Sequence, residues 1–211
     1  MKNIMIIGDS YSTFKGYIPN GYAAYYDPEQ SHGIDVASVS DTWWYKLCAE
    51  ENLNLVLNNS WSGSTVCHTG YNDSDCSKTS SFICRFRKLK ADGFFDKNKI
   101  DTLFIFGATN ESWANVALGE VKLSDFEESD LFKVLPGICY FIKDVRETLT
   151  DTRIIYIINT ELKEKITNAI ITASEAFGTE YLRLDRITKT NGHPTAQGMT
   201  EIKEQVSKFI K

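Results

Sequence analysis

The chain has 211 residues, of which 42% are hydrophobic and 24% are charged. This composition is typical of a globular domain with a sizeable core, and no run of about 18 apolar residues is present to cross a membrane. The net charge of −5 provides no basic patch for a phosphate backbone. We therefore expect one domain over residues 1–211, and neither nucleic acid nor a membrane as its partner.

The amino terminus and the cysteines indicate the cellular location. The first apolar run begins within three residues of Met1, so no basic and apolar leader segment is visible. We expect a cytoplasmic protein if Met1 is the natural start, and a secreted one otherwise. The five cysteines lack CxxC spacing, which predicts free thiols; a bridge between Cys67 and Cys76 in an oxidising compartment is the alternative.

Five apolar segments predict β-strands, at residues 3–8, 54–58, 102–107, 153–159 and 181–184. Their apolar residues are continuous rather than alternating, as in strands that are covered on both faces. Apolar spacing near 3.6 predicts helices at 41–51, with Asp41 as the cap, and at 131–149, 161–177 and 195–210. The alternation predicts an α/β fold, a flavodoxin-like three-layer α/β/α sandwich with a central five-stranded parallel sheet.

Two long polar segments, 14–40 and 62–81, do not fit this alternation. Loops of this length in a compact domain are usually functional or disordered, so we expect both to lie beside a site. The tyrosines of the first loop could stack on sugar rings or anchor the loop to the body. Tyr11, Tyr17 and Tyr22 are the candidate substrate-binding residues.

The first predicted strand ends at Gly8-Asp9-Ser10. Open α/β folds build their sites at the carboxyl ends of parallel strands, which makes Ser10 a candidate nucleophile. The alternative is that Asp9 and Ser10 only cap the helix that follows.

The chain has three histidines, His32, His68 and His193. His193 lies in a turn between the last predicted strand and the last helix, so it is expected at the same sheet edge as Ser10. It is the candidate general base; the alternative is a histidine packed in a loop. We interpret His68 as a surface or turn histidine. No HExxH pattern or paired cysteines are present, so we expect no metal and no cofactor.

Segments 59–64 and 107–111 follow the second and third predicted strands. They contain Gly63 and Asn110, whose main-chain N–H and side-chain amide are the kind of donors that hold an oxyanion. The alternative is ordinary turn chemistry, since Gly and Asn are common wherever a chain reverses.

Taken together in chain order, these segments resemble the four sequence blocks of the SGNH, or GDSL-type, hydrolase family. They read Gly8-Asp9-Ser10-Tyr11-Ser12, Ser62-Gly63-Ser64, Thr109-Asn110 and His193-Pro194. The resemblance covers almost the full chain and implies a serine esterase or acylhydrolase. It implies that Ser10 is the nucleophile and His193 the base, and that the oxyanion donors are the N–H groups of Ser10 and Gly63 with the Asn110 amide.

The chain departs from this family in two blocks. The third block, usually Gly-x-Asn-Asp, reads Ala108-Thr109-Asn110-Glu111 and keeps the donor asparagine. The acid that normally lies three residues before the histidine is replaced by Thr190. Asp185 is the nearest upstream carboxylate and the candidate acid; Thr190, Asn191 or a backbone carbonyl could instead orient the imidazole.

The leading functional hypothesis is hydrolysis of a small acyl ester, with acetyl removal from a carbohydrate as its sharper form. The acidic chain has no extended apolar lid segment, and the tyrosine-rich loop suits a polar alcohol. The alternative is a binding module for a saccharide or acylated ligand that has lost turnover with the missing acid. A flavin or nucleotide protein is disfavoured because no GxGxxG or Walker sequence follows the first strand.

Overall fold

A computed structural model describes residues 1–29 and 32–211 of the chain; Gln30 and Ser31, in the predicted loop 14–40, lie outside the described residues. In chain order the strands and α-helices are β1 (Lys2–Gly8), α1 (Trp43–Glu50), β2 (Leu53–Ser60), α2 (Phe82–Ala91), α3 (Phe94–Lys97), β3 (Thr102–Phe106), α4 (Thr109–Ala114), α5 (Val134–Thr148), β4 (Arg153–Ile158), α6 (Glu164–Phe177), β5 (Glu180–Arg183), β6 (Lys189–Thr190), β7 (His193–Pro194) and α7 (Ala196–Ile210).

Strands β1 to β5 form one parallel sheet in the order β2-β1-β3-β4-β5, which confirms the predicted α/β fold. The chain moves from β1 to one side for β2 and then to the other side for β3. The carboxyl end of β1 is therefore the point at which the strand order reverses, where open sheets of this type have a crevice for ligands. Ser10 follows β1 at this point.

The sheet is covered by apolar side chains on both faces, as the continuous apolar runs predicted. On β1, Met5 and Ile7 pack in one cluster with side chains of α2, α5 and α6, whereas Ile4 and Ile6 pack in a second cluster with side chains of α1 and α7. Successive strand residues point to opposite faces. The result is a three-layer sandwich with a separate core on each side of the sheet.

The helices differ from the prediction both in their boundaries and in their number. The cap of α1 is Thr42, whose hydroxyl accepts from the N–H of Tyr45, and Asp41 belongs to the preceding 3-10 turn. Helix α5 begins at Val134, after a separate 3-10 turn at Glu128–Phe132. Helix α2 was not predicted, because four basic residues interrupt its apolar spacing.

The cysteines and the helix lengths bear on two further predictions. All five cysteines are free thiols, so Cys67 and Cys76 are not bonded to each other in this structure. None of the helices within residues 1–29 and 32–211 combines the length and the apolar character needed to span a bilayer.

Candidate active site

Ser10 begins a short 3-10 turn directly after β1. The cap of this turn is Asp9, whose Oδ1 accepts a hydrogen bond of 3.0 Å from the main-chain N–H of Tyr11. Asp9 thus performs the capping role, while the hydroxyl of Ser10 faces His193. Burial raises the pKa of Asp9 to about 7.

His193 is held by a tight antiparallel hairpin formed by β6 and β7. Its two turn residues, Asn191 and Gly192, have φ values of 51° and 77°. Positive φ at both central positions is the geometry that an Asn-Gly pair favours in hairpins. The hairpin brings Nε2 of His193 to 2.9 Å from Oγ of Ser10, although the two residues are 183 positions apart.

The second ring nitrogen of His193, Nδ1, lies 3.2 Å from the carbonyl oxygen of Asn191. A hydrogen on Nδ1 would be donated to this carbonyl and would leave Nε2 free to accept a proton from Ser10. Burial is the main cause that lowers the pKa of His193 to about 4, and the bond to Asn191 opposes that shift. The imidazole is therefore neutral at physiological pH.

Asp185 is placed away from His193, which corrects its assignment as the acid. Its side chain is 84% exposed, and its carboxylate lies 3.7 Å from Nε of Arg186. The chain after β5 leads into the hairpin without folding Asp185 back over it. Of the open alternatives, the backbone carbonyl of Asn191 is the group that faces Nδ1.

The two candidate oxyanion donors outside the Ser10 turn are fixed by their surroundings. The side chain of Asn110 donates 2.8 Å to the carbonyl of Ser64, and its Oδ1 accepts 2.9 Å from the hydroxyl of Tyr71. These bonds set the amide orientation and place it beside the Gly63 segment. Gly63 has a φ of 78°, in the left-handed region, and its N–H has no hydrogen bond within the described part of the chain.

Two buried charged residues support these segments, and sequence reasoning did not assign them this role. Arg85 is 1% exposed and donates 3.2 Å to the carbonyl of Gly8 and 3.1 Å to the hydroxyl of Ser64. Burial lowers the pKa of Arg85 to about 10. Glu111 accepts from the N–H of Val66, and burial raises its pKa to about 7. A basic residue in an amphipathic helix is normally expected on the exposed face, so the sequence does not indicate that Arg85 is buried.

The three tyrosines proposed to bind substrate occupy different environments. Tyr11 is fully buried and donates 2.5 Å to the carbonyl of Gly192, so it anchors the hairpin and is not exposed to substrate. Tyr17 is 50% exposed but packs on Phe14 and Trp44. The ring of Tyr22 lies 4.2 Å from that of Trp61, with the two planes tilted by 31°, and Trp61 is two residues before Gly63.

His68 and three of the tryptophans occupy different environments. His68 is buried, and its Nδ1 lies 2.9 Å from the hydroxyl of Ser81, so the surface interpretation is wrong. Trp43 and Trp44 are buried and belong to the core. Trp113 is 43% exposed and its ring lies 5.5 Å from that of His193, so it borders the candidate site.

With this geometry in place, comparison with known proteins decides the family. A family model described as GDSL-like lipase/acylhydrolase matches residues 2–210. The chain belongs to the GDSL-like lipase/acylhydrolase family. This family assignment identifies the protein as an ester-hydrolysing enzyme and confirms the resemblance read from the four sequence blocks.

Solved structures of similar proteins agree with the GDSL-like assignment. A candidate GDSL-like lipase from Bacteroides ovatus is 37% identical with a TM-score of 0.92, covering 100% of this chain and 98% of that chain. One from Bacteroides uniformis is 37% identical with a TM-score of 0.91, covering 99% and 95%. An acetyl xylan esterase, Est2A of Butyrivibrio proteoclasticus, shares the fold at 16% identity and a TM-score of 0.64, covering 99% and 63%. No curated protein matches the sequence.

Proposed function

We propose that this GDSL-family enzyme is a serine esterase that removes an acetyl group from a carbohydrate through an acyl-enzyme intermediate. The observation that carries the proposal is the 2.9 Å contact between Oγ of Ser10 and Nε2 of His193. A hydroxyl in contact with a neutral imidazole is the arrangement that activates a serine nucleophile. The amide of Asn110 and the N–H of Gly63 supply donors for the oxyanion.

In the proposed mechanism, Oγ of Ser10 attacks the acyl carbonyl carbon while its proton passes to Nε2 of His193. The imidazolium then donates from Nδ1 to the carbonyl of Asn191, and the carbonyl oxygen of the substrate becomes an oxyanion held by the N–H groups of Ser10 and Gly63 and the amide of Asn110. Collapse breaks the ester bond, and the leaving alcohol takes the proton from Nε2. A water molecule then attacks the acyl carbon while Nε2 of His193 takes its proton. The bond between Oγ and the acyl carbon breaks, Nε2 returns the proton to Oγ of Ser10, and the free acid leaves.

Partly exposed aromatic rings beside His193 and Gly63 favour a saccharide as the alcohol. The Tyr22–Trp61 pair lies next to Gly63, and the half-exposed ring of Trp113 contacts His193. Flat amphipathic rings of this kind can pack on sugar rings. The acetyl xylan esterase that shares the fold acts on such an ester, which supports the same class here.

The substrate class is tested by measuring acetate release from acetylated xylo-oligosaccharides and fatty-acid release from p-nitrophenyl laurate with the same purified protein. The proposal predicts acetate release that is absent in Ser10→Ala, with little cleavage of the long-chain ester. Cleavage of the laurate without acetate release would contradict the carbohydrate assignment while leaving serine catalysis intact.

The donor role of Asn110 predicts that Asn110→Ala lowers kcat by roughly a hundredfold to a thousandfold, as for other oxyanion donors, with a small change in KM. Loss of the bonds to Ser64 and Tyr71 could also loosen the loop, so Tyr71→Phe serves as the matched control. Tyr71→Phe removes the bond from the Tyr71 hydroxyl to Asn110 but keeps the Asn110 amide. The kcat of this variant is expected to fall much less than that of Asn110→Ala. Equal losses in the two variants would contradict a direct role of the amide.

Asp185→Asn is expected to leave kcat unchanged, because the exposed carboxylate does not contact His193. A triad acid, in contrast, lowers turnover by about ten-thousandfold when it is replaced by its amide. Steady-state kinetics with p-nitrophenyl acetate separates these outcomes, and a large loss would show that the hairpin is rearranged in the working enzyme.

The lowered pKa of His193 predicts an acid limb of kcat/KM near pH 4. Burial disfavours the imidazolium, so the neutral base persists as the pH falls below the usual histidine range, and activity is lost only when Nε2 is protonated. The profile is measured from pH 3.5 to 8 with a neutral ester, and circular dichroism at each pH checks that the protein remains folded. A limb near pH 6.5 would contradict a desolvated base.

A second candidate function is a saccharide-binding module with little turnover. It is favoured by the neutral carbonyl at Nδ1, where active triads have a carboxylate. Isothermal titration with acetylated xylo-oligosaccharides distinguishes the two functions. A binding module retains the ligand unchanged in wild type, whereas an esterase releases acetate from it.

A further inference from the structure

The ring of Tyr25 lies flat on the imidazole of His193. Their centroids are 3.5 Å apart and their planes differ by 8°. Two hydrogen bonds hold this segment in place. The N–H of Tyr25 donates 2.9 Å to the hydroxyl of Thr13, and the hydroxyl of the neighbouring Tyr26 donates 2.9 Å to the carbonyl of Pro194. The stacking is thus part of the packing between the tyrosine-rich loop and the hairpin.

The proposed reaction creates a positive charge on a poorly solvated ring. His193 is 8% exposed, and the acceptor at its Nδ1 is an uncharged carbonyl. Both His32 and Lys189 lower the pKa of His193 electrostatically, so these neighbours disfavour the imidazolium. A carboxylate normally stabilises this cation in serine hydrolases, and none in the described ranges contacts the ring.

We propose that the aromatic face of Tyr25 stabilises the imidazolium of His193 and provides part of the stabilisation that a carboxylate provides in a triad. The proposal rests on the esterase function given above. The face of an aromatic ring carries negative partial charge, and a cation against it is stabilised most strongly where water is excluded. Tyr25 acts through His193 and is therefore a positioning residue.

Other rings near His193 differ from Tyr25 in orientation. Tyr11 and Trp113 each lie 5.5 Å from the imidazole, with interplanar angles of 53° and 65°. Tyr25 is the ring that is stacked face to face with it at short distance. We therefore expect the electron density of the Tyr25 face to affect the basicity of His193.

The test replaces Tyr25 with phenylalanine and then with mono-, di- and trifluorophenylalanine, which keep the ring shape and withdraw electron density from its face. Tyr25→Phe is expected to retain kcat within about threefold, and the trifluoro variant to lie about tenfold below it, with a stepwise fall between them and a constant KM. The same series at Tyr45, which is 42% exposed on α1, is the matched control and should leave kcat unchanged.

A second measurement does not depend on turnover. The pKa of the His193 imidazole, followed by NMR in the free protein, should fall along the fluorinated series at position 25 and stay constant along the series at position 45. A constant kcat and a constant imidazole pKa in an active enzyme would overturn the role of Tyr25 alone. If the wild type shows no Ser10-dependent turnover, the proposed function is overturned. The catalytic role of Tyr25 is then overturned with it, even if the pKa of His193 falls along the series.

Discussion

Ser10→Ala is expected to lower kcat for p-nitrophenyl acetate by roughly a hundred-thousandfold or more, as loss of the nucleophile does in other serine hydrolases. The physical reason is that no acyl-enzyme can form once the hydroxyl opposite Nε2 of His193 is removed. The measurement is steady-state hydrolysis by protein purified free of host esterases, with thermal unfolding to confirm that the fold is retained.

Ser12→Ala is the matched control for this substitution. It removes a buried hydroxyl two residues away that accepts a hydrogen bond from the indole N–H of Trp43. We expect it to reduce stability while keeping activity well above that of Ser10→Ala. Turnover that survives in Ser10→Ala at a large fraction of the wild-type rate would assign the nucleophile to another residue.

His193→Ala is expected to lower kcat by a similar factor, because Ser10 then loses the base that takes its proton. The double variant Ser10→Ala/His193→Ala provides the sharper measurement. Residues that act as a unit are strongly non-additive, so the double variant should be about as inactive as either single variant. Losses that multiply in the double variant would mean that the two side chains contribute independently, contrary to their contact in the structure.

The sheet could be predicted from the sequence because its central strands β1, β3 and β4 are buried on both faces and so read as continuous apolar runs. The run Ile4 to Ile7 serves both cores at once, with alternate residues on opposite faces. Helix α2 could not be predicted in the same way, since Arg85 lies among its apolar residues. The buried guanidinium of Arg85 donates to Gly8, at the end of β1, and to Ser64, which only the folded chain brings together.

The candidate site, like the fold, could be predicted only in part. Ser10, Gly63 and Asn110 follow strand ends, where chain order alone indicates a shared edge. The group facing Nδ1 of His193 could not be identified from order along the chain, because several residues before His193 were equally near in sequence. The Asn191-Gly192 pair was the available signal: such pairs favour a two-residue hairpin, and this hairpin leaves Asp185 outside the site.

The role of Tyr25 was hidden for a related reason. A loop with many tyrosines is consistent with both anchoring and substrate stacking, and the sequence does not separate the two. In the structure Tyr26 of this loop, like Tyr11 before it, anchors the hairpin through its hydroxyl, while Tyr25 stacks on the imidazole. Position along the loop gives no indication of which ring meets His193.

Covalent labelling by a fluorophosphonate probe at neutral pH, with the modified peptide located by mass spectrometry, tests directly whether Ser10 is an activated nucleophile. Activation of Ser10 by His193 predicts a single adduct on Ser10 in wild type, and none in Ser10→Ala or His193→Ala. An unlabelled wild type, or an adduct that persists in Ser10→Ala, would contradict an activated serine at this site.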